Sequence, residues 1–384
     1  MKIITQISRI FVGVLFIISG FIKANDTLGF SYKLEEYFEI FQKEFPLPKF
    51  LFIDWMSFSH HAEAMSMFIC IFEIMVGVAL LIGAYSRLNA WLLILMMVFF
   101  TILTGYSAIT HKVTDCGCFG DAIKFTPFQS FMKDVLLLTL SMIIFVGQKH
   151  IKSIFNNKTI QSLALFVALI VTTFFTFYTY MFLPRIDFLP YKIGNNIVEQ
   201  MTIPDGALQD SVAMVFLYEK GGKQIEVGMN DIGKVDSTFK FIDRKDKLIR
   251  AGFKPPIHDF KLYDSGGIEY TDSLLKVPDY KLILVQKSIT ESRKNLEPMM
   301  AELANEWQHT GKQFWALTAS PLNEVELYRH QYQLAYPYYN MDVTPLKSMV
   351  RSNPGLLLMK GNVVIKKWSA YNFPTYSIVL KYMK

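Results

Sequence analysis

The sequence predicts a membrane α-helical bundle with five apolar spans, followed by an extracytoplasmic α/β domain, and three observations lead there. The 384 residues are 52% hydrophobic and only 19% charged, too apolar for a soluble chain of this length and too charged for one lying wholly in lipid. The apolar residues gather in the first half, in stretches at roughly 3–23, 64–85, 89–109, 129–147 and 160–183, each long enough to cross a hydrocarbon core of about 30 Å. From Pro255 onward, strand-like runs alternate with helical patterns, as in layered α/β architectures. The chain accordingly divides into a bundle (1–150), a fifth span with its linker (151–190), a mixed strand-rich segment (191–254) and the α/β domain (255–384).

The first span has the basic start and apolar middle of a signal peptide. Ser19-Gly20-Phe21-Ile22-Lys23 offers no small-x-small cleavage site, however, and further spans follow, so it reads as a retained anchor. Basic residues in short loops set the orientation. Lys2 and Arg9 flank the start of span 1, Arg87 sits in the 2–3 turn, and Lys149, Lys152 and Lys158 fill the 4–5 connection. These places read as cytoplasmic. The carboxyl-terminal half and the 3–4 loop then face outside, as in a multi-pass protein of the bacterial inner membrane with a periplasmic domain. The net charge of +6 is accounted for by these basic loops and calls for no nucleic acid.

Between spans 1 and 2, Phe30, Leu34, Tyr37, Phe38 and Phe41 recur at helical spacing among Lys33, Glu35, Glu36 and Glu39. This predicts a helix lying across the outer end of the bundle. Residues 46–58 read as a second interfacial piece, and His60-His61 as a solvated helix start rather than a metal pair. Gly13, Ser19 and Gly20 in span 1, with Gly77 and Gly83 in span 2, suit close helix packing.

The 3–4 loop carries Thr114-Asp115-Cys116-Gly117-Cys118-Phe119-Gly120-Asp121, two of the three cysteines in the chain. Thiols one residue apart can be a strained dithiol/disulfide couple, a pair of soft metal ligands, or turn residues without chemistry. On an oxidising face a disulfide can form; its small ring would be strained and therefore oxidising. Such a bridge constrains almost no unfolded chain, which disfavours a structural staple. Zinc is disfavoured because His111 is the one nearby imidazole and there is no second cysteine pair. Cys70, within span 2, reads as a free buried cysteine that by depth can also approach the loop.

Charges inside spans are costly and point to interior sites. Glu73 sits near the middle of span 2 and is the strongest such signal. Lys23, Lys133 and Asp134 lie near span ends, where snorkelling accounts for them equally well.

Ser19-Gly20-x-x-Lys23, the Glu36-Tyr37 loop, Glu73 followed by Gly77-x-x-Leu80-Leu81-x-Gly83, and the Cys-Gly-Cys-Phe-Gly-Asp string with its later Lys133-Asp134 together resemble the DoxX/MauE group of four-helix membrane proteins. The resemblance covers about residues 1–150 and leaves the fifth span as an anchor. The architecture is similar in outline to the vitamin K epoxide reductase and DsbB membrane oxidoreductases. MauE is associated with disulfide formation in a periplasmic enzyme, and DoxX relatives with thiosulfate:quinone or thiol redox chemistry. The resemblance implies Cys116 and Cys118 as the catalytic couple, with Lys23, Glu73, Lys133 and Asp134 shaping a site for a quinone between the helices.

After the fifth span, Val212–Tyr218 and Gln224–Val227 read as strands joined at Gly221-Gly222. From Pro255, the order runs through Ile257–Leu262, a strand at 281–285, a helix at 292–310, a strand at 314–318, a helix at 322–333, and a closing hairpin at 355–359 and 363–368. This order resembles the thioredoxin fold of the TlpA/peroxiredoxin type, with Pro354 in the place of the family's cis-proline. The family's redox pair belongs near 287–292, yet no cysteine follows Cys118. Thiol exchange by this domain is excluded, because the nucleophile is a thiolate. A binding or scaffolding role remains.

Two functions compete. In one, the chain is a membrane thiol:quinone oxidoreductase that acts on, or presents, an envelope protein partner. In the other, it is a non-catalytic subunit of a cell-envelope or secretion assembly with a protein-binding thioredoxin-like domain.

Overall fold

The unbroken apolar run at the amino terminus forms helix α1 (Lys2–Asn25), and a single residue turns the chain into α2 (Thr27–Glu44). That residue, Asp26, caps α2 by accepting from the Gly29 amide at 2.9 Å. After α3 (Trp55–His60), helix α4 (Ala62–Ile82) ends on Gly83, whose φ of +76° suits a residue without a Cβ. Helices α5 (Ser86–Thr110), α6 (Pro127–Gly147) and α7 (Lys158–Phe182) follow. A capping box between Thr126 and Gln129, with Pro127 in the first turn, starts α6. The computed structural model describes residues 2–45, 54–113, 117, 119–208, 211–250 and 252–383. Among these, α1, α4, α5, α6 and α7 are long and apolar enough to cross a membrane. The interfacial piece expected at 46–58 lies in part outside the described residues.

Helices α1 and α4 pack together through glycine. A Cβ on Gly77 would lie 2.9 Å from the Gly13 carbonyl oxygen and 3.1 Å from the Ile17 amide nitrogen. One on Gly20 would lie 2.6 Å from the Ile74 side chain. Small residues therefore set how closely the two backbones approach. At the opposite end from α2, the Arg9 guanidinium donates to the Leu81 and Lys152 carbonyls, both at 3.3 Å, and ties α1 to the end of α4 and the 4–5 connection. Helix α7 buries one polar stripe, Gln161, Thr172, Thr176 and Thr179. Its Leu163, Phe166, Ile170 and Phe174 are exposed. An anchor leaning on a four-helix bundle, with an apolar face for lipid, has this distribution.

A short α8 (Ile197–Met201) leads to a three-stranded antiparallel sheet, β1 (Ser211–Lys220), β2 (Lys223–Gly228) and β3 (Lys240–Arg250), in the order β2-β1-β3. Gly221 and Gly222, both at positive φ, make its two-residue turn. Helix α9 (Thr271–Leu275) precedes the α/β domain: β4 (Tyr280–Val285), α10 (Glu297–Gln308), β5 (Phe314–Thr318), α11 (Leu322–Tyr332), β6 (Tyr338–Asn340), α12 (Val343–Met349), β7 (Gly355–Lys360), β8 (Val363–Ser369) and α13 (Tyr376–Leu380).

The sheet order is β6-β5-β4-β7-β8, with β4, β5 and β6 parallel and β7 and β8 antiparallel to their neighbours. One face packs on Met300, Leu303 and Trp307 of α10, the other on Leu274 of α9 and Leu346 and Met349 of α12. The Asn353–Pro354 peptide, just before β7, is cis. This is the thioredoxin-like arrangement.

Two details depart from the sequence expectation. Helix α10 starts at Glu297 rather than 292, because Asn295 adopts φ +70° and Pro298 is accommodated only in a first helical turn. The edge strand β6 was not expected, since three residues are too short to carry an alternation.

The packing at Gly77 leads to a direct expectation. Gly77→Ala, which forces a methyl onto backbone, should destabilise the bundle by about 1–3 kcal/mol and lower its apparent unfolding temperature in detergent. Gly233→Ala, with no atom within 4 Å of the new methyl, should leave that temperature unchanged.

Candidate functional site at the bundle end facing the α/β domain

Helix α2 folds across the end of α1, and Ser66 Oγ of α4 donates to the Thr27 carbonyl at 2.7 Å. Lys23 is thereby covered. It is 2% exposed and does not snorkel, because its ammonium turns inward to Glu73 Oε2 at 2.5 Å and Ser19 Oγ at 3.0 Å. The Phe100 ring lies 4.7 Å away on its other side. Glu73 is 3% exposed. Asp134, at 1% exposed, also departs from the snorkelling reading: it accepts from Thr104 Oγ1 at 2.9 Å and pairs with Lys133 Nζ at 2.9 Å. Two cations and two anions from α1, α4 and α6 thus meet inside the bundle. Each offsets part of the desolvation that would exclude any one of them alone.

Lys23, Glu73, Lys133 and Asp134 line one cavity with Phe119 and Leu137. Phe119 directly follows Cys118, and its ring lies 5.1 Å from Lys133 Nζ. The residue after the cysteine pair therefore roofs the charged cluster. Cys116 and Cys118 themselves lie outside the described residues. Between them, Gly117 sits against α2, where a Cβ would stand 3.3 Å from Lys33 Cγ. Cys70 is a free, fully buried thiol one helical turn from Glu73.

The cavity has a volume of about 20 Å³. That admits one water and falls far below the roughly 300–1,000 Å³ of a small-molecule site. The charged and aromatic lining suits a polar ring, but the space does not, so a quinone does not fit this cavity as it stands.

The α/β domain contributes what the sequence reading missed. Arg351, 6% exposed, donates from Nε to both Asp26 oxygens at 3.0 and 2.9 Å and from Nη2 to Asp121 Oδ2 at 2.7 Å. Asp121 closes the cysteine-bearing string, so the domain holds that loop directly. A Cβ on Gly29 would lie 2.4 Å from Asp26 Oδ2 and 2.9 Å from Arg351 Nη2, so the ion pair accounts for the glycine in the first turn of α2.

Lys347 Nζ bonds Glu35 Oε2 at 3.1 Å, and Lys287 Nζ bonds the Tyr32 hydroxyl. Lys287, Lys347 and Arg351 all lie within 5.4 Å of the Tyr32 ring centre. The edge that carries cis-Pro354 and the segment 287–292 therefore faces the bundle. Asn353 and Ser288 are also joined to each other, Nδ2 to carbonyl at 2.8 Å. One local signal pointed here: Arg351 stands three residues before the cis-proline.

Burial, and then the charges of Arg351 and Lys347, hold the Lys287 ammonium down to about 7, against an ordinary 10.5; Glu63 and Glu35 oppose this. A docked Lys287 therefore binds its proton less readily than a released one.

Residues 1–147 match the family described as methylamine utilisation protein MauE, and residues 212–251 match a domain of unknown function, DUF8463. No curated protein matches the chain. Among solved structures, a provisionally assigned disulfide isomerase from Bacteroides thetaiotaomicron is 13% identical, covers 32% of this chain and 82% of its own, and has a TM-score of 0.26. A provisionally assigned thioredoxin from Neisseria meningitidis is 17% identical over 32% of this chain and 83% of its own, with a TM-score of 0.27. Peroxidoxin BcpB from Mycobacterium tuberculosis is 13% identical over 33% and 90%, with a TM-score of 0.25.

Two outcomes follow from the charges. Glu73→Gln leaves the Lys23 ammonium buried without its anion and should cost about 3–5 kcal/mol, read as a fall in apparent unfolding temperature; the paired change Lys23→Met with Glu73→Leu should recover much of it. Docking of the α/β domain should be unpenalised by Lys287 at high pH and weaken as pH falls from about 10 to about 7, then level off. Interdomain distances from paired spin labels would follow this, and Lys287→Met should flatten the dependence.

Proposed function

We propose that this chain is a membrane thiol/disulfide redox protein in which Cys116 and Cys118 exchange electrons with a partner protein. The observation that carries the reading is the position of Phe119: the residue next to Cys118 closes a cavity of buried acids and bases. The match of residues 1–147 to MauE supports a redox-related membrane protein. The finer reading places the α/β domain and the cysteine loop on the oxidising side of a bacterial inner membrane.

The exchange balances without any further group. A Cys116–Cys118 disulfide accepts a partner thiolate, its S–S bond breaks, and a mixed disulfide forms. The partner's second thiolate then displaces the mixed disulfide, leaving two thiols on this chain and one disulfide on the partner. Two electrons and two protons move. The reverse direction uses the same steps.

Residues of this chain have definite parts in that scheme. Asp121, held by Arg351, anchors the loop three residues beyond Cys118. Asp134 and Glu73 place two carboxylates in the cavity that Phe119 closes. A quinone that would carry the electrons away does not fit the cavity, and no step is routed through one. The α/β domain, without cysteine after Cys118, takes no part in exchange.

The competing reading is a non-catalytic subunit of an envelope assembly. It is favoured by the same cysteine-free domain, fixed to the bundle by ion pairs.

Thiol trapping in cells separates the two. Alkylation with a mass tag should find Cys116 and Cys118 partly oxidised, and Cys116→Ser or Cys118→Ser alone should accumulate a mixed disulfide with one partner. If the double serine variant retains full function and neither single variant traps a partner, the redox reading fails and the subunit reading stands.

A further inference from the structure

Helix α7 ends at Phe182, and the chain crosses to the α/β domain through Leu183, Pro184 and Arg185. The Asn25 side chain fixes this crossing, accepting from the Arg185 and Ile186 amides at 3.0 Å and donating to the Ile186 carbonyl at 2.8 Å. Beside the crossing lies a cavity of about 520 Å³, within the range of small-molecule sites.

Its charge is strongly one-sided. Arg185, Lys192, Arg351, Lys366 and Lys367 line it, against the single carboxylate of Asp187. Asp187 is already bonded to Lys367 at 2.8 Å, and Arg351 to Asp26 and Asp121. Among the described residues, Arg185, Lys192 and Lys366 have no carboxylate within ion-pair distance. Arg185 lies instead over the Tyr178 ring, 4.6 Å from its centre, and Lys366 over Tyr382 at 5.1 Å. Three cations without counter-charge around one cavity attract an anion.

The surroundings select the kind of anion. The cavity opens at the level where the last apolar helix ends, with Tyr178 and Phe182 in its wall. Ile186, Phe188 and Ile193 around the crossing are 60%, 43% and 51% exposed. Exposed apolar side chains beside cations suit the boundary between headgroups and acyl chains, not open water.

We infer that this cavity binds the phosphate of an anionic phospholipid headgroup, with Arg185, Lys192 and Lys366 as its cationic partners. The lipid would brace the joint between α7 and the α/β domain. This does not depend on the redox reading.

The test uses the full chain in nanodiscs of phosphatidylcholine with and without phosphatidylglycerol, released into native mass spectrometry. The wild-type chain should retain phosphatidylglycerol in preference to phosphatidylcholine. Lys192→Gln with Lys366→Gln should reduce that preference by about twenty-five-fold, taking about five-fold per cation. Lys223→Gln with Lys240→Gln, the same charge change on the exposed three-stranded sheet, should leave it intact. An unchanged apparent unfolding temperature in phosphatidylcholine establishes that the variants are folded. Equal retention by wild type and the Lys192/Lys366 variant overturns the site, as does equal loss in the sheet variant. Inorganic phosphate binding to the detergent-solubilised chain, without any lipid preference in nanodiscs, overturns the lipid in favour of a soluble anion.

Discussion

Arg351 reaches Asp26 at 2.9 Å and Asp121 at 2.7 Å from one buried guanidinium, and the relative placement of bundle, cysteine-bearing loop and α/β domain rests on that contact. A planar fork with fixed donor directions can address two carboxylates on separate segments; a lysine ammonium has no such geometry. Asp26 is itself the cap of α2, so the same carboxylate starts that helix and receives the domain. Gly29 leaves the space for the guanidinium. With the contact in place, Lys347 and Lys287 meet Glu35 and Tyr32, and the edge of the domain beside cis-Pro354 is committed to its own bundle.

The second constraint is the buried charge beneath Phe119. Lys23 with Glu73 and Lys133 with Asp134 balance in sign, so the cluster as a whole carries no net charge into the apolar interior. Four charges so placed cost desolvation that apolar residues would not. Under the redox reading proposed above, they would place acid and base next to the cysteine-bearing loop. The cavity they surround has room for about one water.

The large elements were legible in the sequence because their signals are local. Five apolar runs of spanning length, a helical repeat of aromatics at 30–41, and the Gly221-Gly222 turn each specify their structure within a short window. Glu73 stood out because a carboxylate in mid-span has few explanations. Lys23 and Asp134 were less legible: near a span end, a charge reads as snorkelling unless something covers it. The cover comes from α2 and from neighbouring helices, distant in sequence. Strand β6 and the contacts of Arg351, Lys347 and Lys287 had no periodic signal, since each depends on a partner far along the chain.

By itself, the sequence determined that the chain crosses a membrane, that an α/β domain without a redox cysteine follows, and that two thiols stand one glycine apart in a loop between spans. Those are consequences of composition, period and residue identity, which act over a few neighbours. Only the tertiary structure decided that Lys23 pairs with Glu73, that the cavity beneath Phe119 is about 20 Å³, and that the cis-proline edge of the domain turns toward the bundle. Those depend on which surfaces pack, and charges separated by as many as 325 residues meet only when the helices and the sheet are in place.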